Sequence, residues 1–323
     1  MKRLSKLAAL MATAVFAAAP VAAVEIKAAD VHPDGYPNVV AMQSMGKKLE
    51  AESKGRFTLK MFPGGVLGDE KSMIEQTQAG GIDILRTSLG PVGTVVPEVN
   101  VFNMPFVFRD EAHMRKVIDG PIGDELLKKI TDSSANLVAL GWMDGGTRNL
   151  YAKKAIRTPA DLAGQKIRMM GNPLFVDTMN AMGGSGISMG WGEVYSALQT
   201  GVVDGAENNV PSYVSANHFS VNKFYSLTGH LIIPEIFVYS KVKWAKLSPE
   251  DQALIKKLAK ETQMEQRRLW DKRVAMDSAR LKAAGVTLIS DVDKQAFFKA
   301  TQPVRDKYGA AYADLIKRIE AVK

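Results

Sequence analysis

The sequence predicts an α/β protein of two related lobes. Short apolar runs alternate with helical stretches, one nine-residue pattern occurs twice, and 323 residues suffice for two domains rather than one.

Taken in order, Val24 to Ala29, Phe57 to Phe62, Ile82 to Thr87 and Leu137 to Trp142 read as strands, with helices over Asn38 to Glu52 and Glu70 to Ala79 between them. A second series has extended runs at Arg148 to Tyr151, Lys166 to Met169 and Ala206 to Asn208, and helices at Pro173 to Met182 and Glu193 to Thr200. Thr158-Pro159-Ala-Asp161 supplies an N-cap, a proline at the first helical position and an acid in the first turn, so a short helix opens there and Gly164 closes it. The repeated pattern is Glu75-Gln-Thr-Gln-Ala-Gly80-Gly-Ile-Asp83 and Ser196-Ala-Leu-Gln-Thr-Gly201-Val-Val-Asp204. Each reads as a helix end, a glycine cap and a strand after an aspartate, which two related βαβ units would leave behind.

From Ser248-Pro249-Glu-Asp251, a helix N-terminal signature, no glycine or further proline occurs until Gly285. A continuous helix there is about 54 Å long at 1.5 Å per residue, against roughly 30 Å for a small domain, so it touches both lobes or projects from them. The alternative is two helices broken near Thr262-Gln263.

The first 23 residues stand apart. Met1-Lys-Arg-Leu-Ser-Lys6 is cationic, Leu7 to Ala19 is apolar but too short to span a bilayer, and Val21-Ala22-Ala23 offers small residues to a signal peptidase. A Sec-type signal cleaved after Ala23 is expected, placing a soluble mature chain in the periplasm; the other reading is an apolar N-terminal helix of the folded domain. The chain has no cysteine, which excludes a lipidated cysteine, a disulfide framework and a thiol nucleophile. The formal charge is +8, and +5 without Lys2, Arg3 and Lys6; basic residues are spread among acids on helices, so nucleic acid is not an expected partner.

The stretch from residue 146 carries the ligand chemistry. Arg148 in Gly-Gly-Thr-Arg-Asn, Arg168 in Gly-Gln-Lys-Ile-Arg and the pair Asn208-Asn209 stand at the ends of extended runs bordered by glycine or proline. Guanidinium is planar, permanently charged and offers two parallel N–H donors to a carboxylate, whereas lysine offers a point charge. Alone, an arginine in a strand is more often a solvated edge residue or half of a structural ion pair.

Four longer motifs go further: Phe62-Pro-Gly-Gly-Val-Leu-Gly-Asp-Glu70, Asn103-Met-Pro-Phe-Val-Phe, Leu162-Ala-Gly-Gln-Lys-Ile-Arg168, and Trp191-Gly-Glu-Val-Tyr-Ser-Ala-Leu-Gln-Thr-Gly-Val-Val-Asp-Gly-Ala-Glu-Asn208. In this order, over essentially the whole mature chain, they resemble the extracytoplasmic substrate-binding proteins of TRAP transporters, the DctP-type family. The resemblance implies a two-lobed periplasmic binding protein fold, a long helix spanning both lobes, and the ligand in the interdomain cleft. Domain I would take residues 24–146 and 234–272, and domain II residues 147–233 and 273–323.

By the same resemblance Arg168 pairs with the substrate carboxylate, Arg148 assists, and Asn208 binds the carboxylate or a neighbouring hydroxyl, with Asn209 a weaker candidate. Domain I would oppose them with Glu70, whose other role is to complement its helix dipole; with Lys71, more commonly an exposed helix lysine; and with Ser88 and His32. Trp191 would roof the ligand, or pack between elements, or both. Partners implied are a small anionic solute and the small and large membrane subunits of the transporter, with the binding protein a monomer and no cofactor.

His32-Pro-Asp-Gly-Tyr-Pro, Leu67-Gly-Asp-Glu70-Lys71 and Glu207-Asn-Asn-Val-Pro-Ser-Tyr213 resemble the branch that takes sugar acids, particularly hexuronates such as D-glucuronate and D-galacturonate. Val210 departs from the aromatic expected there after the asparagine pair. C4-dicarboxylates and other aldonic or hydroxy acids are the alternative ligands.

Catalytic signatures are thin. Histidines 32, 113, 218 and 230 have no metal spacing, and Gly183-Gly-Ser185-Gly-Ile has neither the second glycine of a Gly-x-Ser-x-Gly elbow nor the Lys-Ser/Thr of a phosphate loop. It reads as a helix terminus before a strand. The remaining alternatives are a secreted enzyme acting on an acidic sugar and a binding protein serving an ABC importer or a sensor kinase.

Overall fold

The computed structural model describes residues 23–323, so the expected leader lies, but for Ala23, outside the described residues. Eleven strands follow in chain order among them: β1 Val24–Ala29, β2 Phe57–Phe62, β3 Ile84–Ser88, β4 Leu137–Met143, β5 Thr147–Ala152, β6 Lys166–Met169, β7 Ser185–Ser188, β8 Gly205–Asn208, β9 Phe224–Ile232, β10 Glu235–Ser240 and β11 Thr287–Ile289. They form two sheets, ordered β2-β1-β3-β10-β4 and β11-β9-β5-β8-β6-β7. Among the described residues no helix is long and apolar enough to cross a membrane.

The repeated nine-residue pattern performs the same task in both sheets. Gly80 and Gly201 end their helices in the left-handed conformation, at φ +83° and +79°, which glycine adopts without steric cost. Each aspartate then locks onto the neighbouring parallel strand. Asp83 N donates to the Lys27 carbonyl at 3.0 Å while its carboxylate accepts from Lys27 N at 2.9 Å. Asp204 and Lys166 repeat the exchange at 2.8 Å both ways. Register is thereby fixed, and the residue three positions on, Arg86 in one sheet and Glu207 in the other, is delivered toward the strand end.

Sheet membership changes at Asp144-Gly145-Gly146, between β4 and β5, and at Ile233-Pro234, between β9 and β10. β10 returns to the first sheet antiparallel, between β3 and β4. A third connection is the helix Pro249–Ala283, one continuous element of 35 residues. Ser248 caps it by accepting from Asp251 N, and at Thr262, where a break was the alternative, the hydroxyl instead donates to the Leu258 carbonyl at 2.7 Å. Its Ile255, Leu258 and Ala259 pack with Met42, Met45 and Leu49 over the first sheet; Trp270 packs with Tyr36 and Val39; Leu281 packs with Tyr151 and Tyr213 over the second. The helix therefore spans both cores.

Where the crossing passes, Gln266 is a double clamp. Its Oε1 accepts from Asp144 N and its Nε2 donates to the Asp144 carbonyl, both at 2.9 Å. Gly146, at φ +67°, leaves only the space that Trp270 fills: a Cβ there would lie 2.7 Å from the indole.

Small differences from the expected elements have local causes. The strand expected from Ile82 begins at Ile84, because Asp83 is spent on the lock described above. The helix expected from Glu193 is a 3-10 turn over Trp191–Glu193 that becomes α-helical at Val194. Pro159–Leu162 forms a 3-10 turn, with the Asp161 carboxylate accepting from the N-cap Thr158 N at 2.8 Å. β9, β10 and the C-terminal helices after β11 were not foreseen.

Candidate functional site

The strand ends of the two sheets face each other across a cleft that narrows inward. An outer groove of about 720 Å3 leads through Glu70, Arg168 and Trp191 to an inner cavity of about 20 Å3. That is room for a single water, so a pyranose enters the inner cavity only if the walls part.

The first-sheet wall is built on Arg86. This side chain is 1% exposed, pairs with Asp30 at 3.1 Å and with Glu235, and thereby holds two acids at once. Burial opposes its charge, but Asp30 and Glu235 more than restore it. Asp30, just past β1, accepts at Oδ1 from the His32 backbone N at 2.8 Å, with His32 Nδ1 at 3.0 Å. Burial alone would raise the Asp30 carboxyl; Arg86 and His32 outweigh it and hold it below the usual range. Burial and Arg86 likewise push His32 down, so its ring is neutral. Glu70 accepts from Ser88 N at 2.7 Å and from Thr87 Oγ1 at 3.1 Å through Oε1. Ser88 Oγ is buried without a partner.

The second-sheet wall holds the other two arginines, and they differ. Arg148 is committed: Nε and Nη2 donate to the two oxygens of Glu207 at 2.6 and 2.7 Å, and Nη1 donates to Asn208 Oδ1 at 2.8 Å. Arg168, 2% exposed, has one hydrogen bond, from Nε to the Met189 carbonyl at 2.9 Å. Among the described residues no carboxylate lies within ion-pair distance of it. Burial pushes its pKa down, and the nearby Glu207 does not fully compensate. The Nη1 and Nη2 fork thus lines the cavity with its charge unpaired, the arrangement that an incoming carboxylate satisfies bidentately.

Trp191 closes the cavity from the second-sheet side. Its ring lies 5.7 Å from the Arg168 guanidinium, 5.0 Å from the His218 ring and, across the cleft, 5.8 Å from the His32 ring. Ser212 also crosses the cleft: Tyr36 OH lies 2.9 Å and His32 Nε2 3.3 Å from its Oγ.

Of the residues singled out from the sequence, Arg168, Arg148, Asn208, Glu70, Ser88, His32 and Trp191 converge on the inner cavity. Asn209 and Lys71 do not. Asn209 Oδ1 caps the helix Val210–Ser215 by accepting from Ser212 N, and its Nδ2 donates to the Gly145 carbonyl at 2.7 Å, so both ends of the amide are engaged by the protein and the residue does not line the inner cavity. Lys71 is exposed and lines only the outer groove. Val210 packs into the second-sheet core instead of the cavity.

Sequence reasoning missed Arg86, Glu235, Asp30 and Ser212. A signal was present: Arg86 interrupts Ile-Leu-Arg-Thr-Ser and Glu235 interrupts Leu-Ile-Ile-Pro-Glu-Ile-Phe-Val, each a lone charge in a run otherwise fit for a core.

Solved structures with this architecture share its sequence. A TRAP periplasmic solute-binding protein from Pseudomonas putida F1, crystallised with bound D-glucuronate, is 62% identical, with a TM-score of 0.92 over 93% of this chain and 98% of that one. One from Bradyrhizobium sp. BTAi1, in complex with α/β-D-galacturonate, is 45% identical with a TM-score of 0.89, covering 92% of this chain and 99% of that one. A Citrobacter koseri protein, 52% identical, gives 0.91 with D-glucuronate bound, over 93% of this chain and 100% of that one. Its apo, open structure gives 0.81, over 92% and 98%. The present structure is thus more similar to the ligand-bound form of that protein than to its open one. Residues 28–311 match the model of bacterial extracellular solute-binding protein, family 7, and the chain belongs to that family, the DctP-type solute-binding proteins of TRAP transporters.

Proposed function

We propose that this protein captures a hexuronate, D-glucuronate or D-galacturonate, in the periplasm and delivers it to the membrane subunits of its transporter. The observation that carries this reading is the unpaired Arg168 fork, buried at the end of a cleft whose other two arginines already have their acids. One carboxylate is wanted there and one only. The opposite wall offers groups that suit hydroxyls, the remaining oxygen of Glu70 and the unpartnered Ser88 Oγ, and the Asn208 amide adds another from beside the arginines.

Capture proceeds by closure of two bodies, residues 24–146 with 234–272 and residues 147–233 with 273–323. The anion meets Arg168 beside Trp191 in the open cleft; closure then brings the first-sheet wall over the ring, making contacts that only the closed form has. The family acts in solute binding rather than catalysis, and the cleft offers no group of three or more potential metal ligands among the described residues. Cleavage after Ala23 and a monomeric mature protein belong to the same proposal.

The test is calorimetric titration of the mature protein with D-glucuronate, D-galacturonate, D-gluconate and succinate. Tight binding of either uronate, with succinate weaker by more than about tenfold, supports the reading. A preference for succinate overturns it.

A further inference from the structure

The two walls of the inner cavity carry opposite charge. On the second-sheet side Arg148 and Arg168 stand against a single acid, Glu207. On the first-sheet side one guanidinium, Arg86, stands against Asp30, Glu235 and the nearby Glu70. A ligand is therefore held carboxylate toward the second sheet and hydroxyl donors toward the first.

The three acids of the negative wall are not equivalent. Asp30 is held through Oδ1 by His32 and Arg86 and does not line the inner cavity, and Glu70 is engaged by Thr87 and Ser88 and is partly exposed. Glu235 opens β10 immediately after the Ile233-Pro234 crossing, is 4% exposed and has Arg86 as its ionic partner. It is wedged beside the hinge, where a Cβ on Gly145 would lie 2.7 Å from its Oε1. It lines the same small cavity as Arg168.

We propose that Glu235 determines specificity: it makes the site accept sugar acids with one carboxylate and reject those with a second carboxylate at the far end, the aldarates and dicarboxylates. The inference rests on the uronate reading and deepens it. A hydroxyl facing Glu235 donates a charge-assisted hydrogen bond. A carboxylate in that place has no proton to donate and meets a like charge in a water-poor cavity, the repulsive element by which a site discriminates between ligands of similar shape. The groups facing Glu235 are Arg86, Asp30, Glu70, Arg148 and the Tyr36 hydroxyl. Burial pushes its carboxyl up to about 7, partly offset by Arg86. His32 and His218, held below the ordinary histidine value, stay neutral around neutral pH.

The experiment compares D-glucarate, which carries a carboxylate at both ends, with D-glucuronate on the mature wild-type protein and on Glu235→Gln, by calorimetry. The ratio of the two dissociation constants is expected to fall at least about tenfold in Glu235→Gln. In the wild type it is expected to fall as pH drops from about 8 to about 5.5, because ordinary carboxyls of the ligands stay ionised throughout while Glu235 takes up a proton. A ratio within about twofold of wild type in a folded Glu235→Gln overturns the proposal, as does a wild-type ratio that does not move with pH. If Glu235→Gln does not fold, the wild-type pH series decides alone. Failure of the wild type to bind either uronate is a different result and overturns the reading beneath it.

Discussion

Arg148 and Glu207 form a closed two-point pair, Nε and Nη2 each on its own carboxylate oxygen at 2.6 and 2.7 Å, with both side chains buried. The pair sits beside Arg168, which has no such acid. Two neighbouring arginines thus differ: Arg148 builds the wall, and Arg168 keeps the unpaired charge on which the proposed capture of the solute rests.

The division predicts different consequences of removing each. Arg148→Ala leaves Glu207 buried and unpaired and costs about 3–5 kcal/mol of stability in the ligand-free protein. Thermal and denaturant unfolding of the mature protein measure it. A loss under about 1 kcal/mol contradicts the structural role.

Ser212 links the lobes without ligand, through Tyr36 OH at 2.9 Å and His32 Nε2 at 3.3 Å. Ser212→Ala leaves the buried Tyr36 hydroxyl unsatisfied in the closed form only, shifting the balance toward the open form by about 1–3 kcal/mol. Small-angle scattering of the ligand-free variant is expected to give a larger radius of gyration than wild type, and uronate to restore the compact value. An unchanged radius argues that the contact does not hold the cleft.

Gly146 adopts φ +67° with the Trp270 indole 2.7 Å from where a Cβ would be. Gly146→Ala combines left-handed strain of roughly 1–2 kcal/mol with overlap against a buried ring. Lower melting temperature together with weaker uronate binding is expected, since the residue lies on a crossing between the sheets. A variant that melts and binds like wild type removes Trp270 as the packing stop of that crossing.

Stability should depend on pH through buried groups of opposite sign. His218 and His230 are pushed down to about 3 and about 4 by burial, so at slightly acid pH the unfolded chain binds protons that the folded chain does not. Stability from these two groups rises with pH up to about 6.5, by at most about 1.4 kcal/mol per pH unit each. Glu235, raised to about 7, keeps its proton in the folded protein after the unfolded chain has lost it, and so works in the opposite direction over the same window. Unfolding followed between pH about 5 and about 6.5 is expected to show a net rise, made steeper by Glu235→Gln. A shallower slope in that variant contradicts the assignment of Glu235.

How much of this was legible in the sequence depended on whether the determinant was local. The helix Glu70–Ala79, the strand Lys166–Met169 and the long helix could be read because caps, glycines and apolar spacing sit within each segment. Arg168 could be named from the motif around it. The physical reason for its expected role could not, because that rests on no acid lying within ion-pair distance of it in the fold. Asn209 stood in the sequence as a weaker candidate beside Asn208, and only the fold shows that Gly145 and Ser212 engage its amide. Arg86, Asp30 and Glu235 come from three separate strand regions and meet only because β10 inserts beside β3, a pairing across more than a hundred residues that no local pattern encodes.

The most direct measurement is D-glucuronate binding by calorimetry to Arg168→Ala and Arg168→Lys beside wild type, with each variant shown to be folded by its melting curve. If the Arg168 fork holds the carboxylate, the alanine variant loses about 3–5 kcal/mol of binding, and lysine, which restores charge but not two parallel donors, recovers only part of it. Binding of Arg168→Ala within about tenfold of wild type would contradict the assignment of the unpaired guanidinium as the anchor.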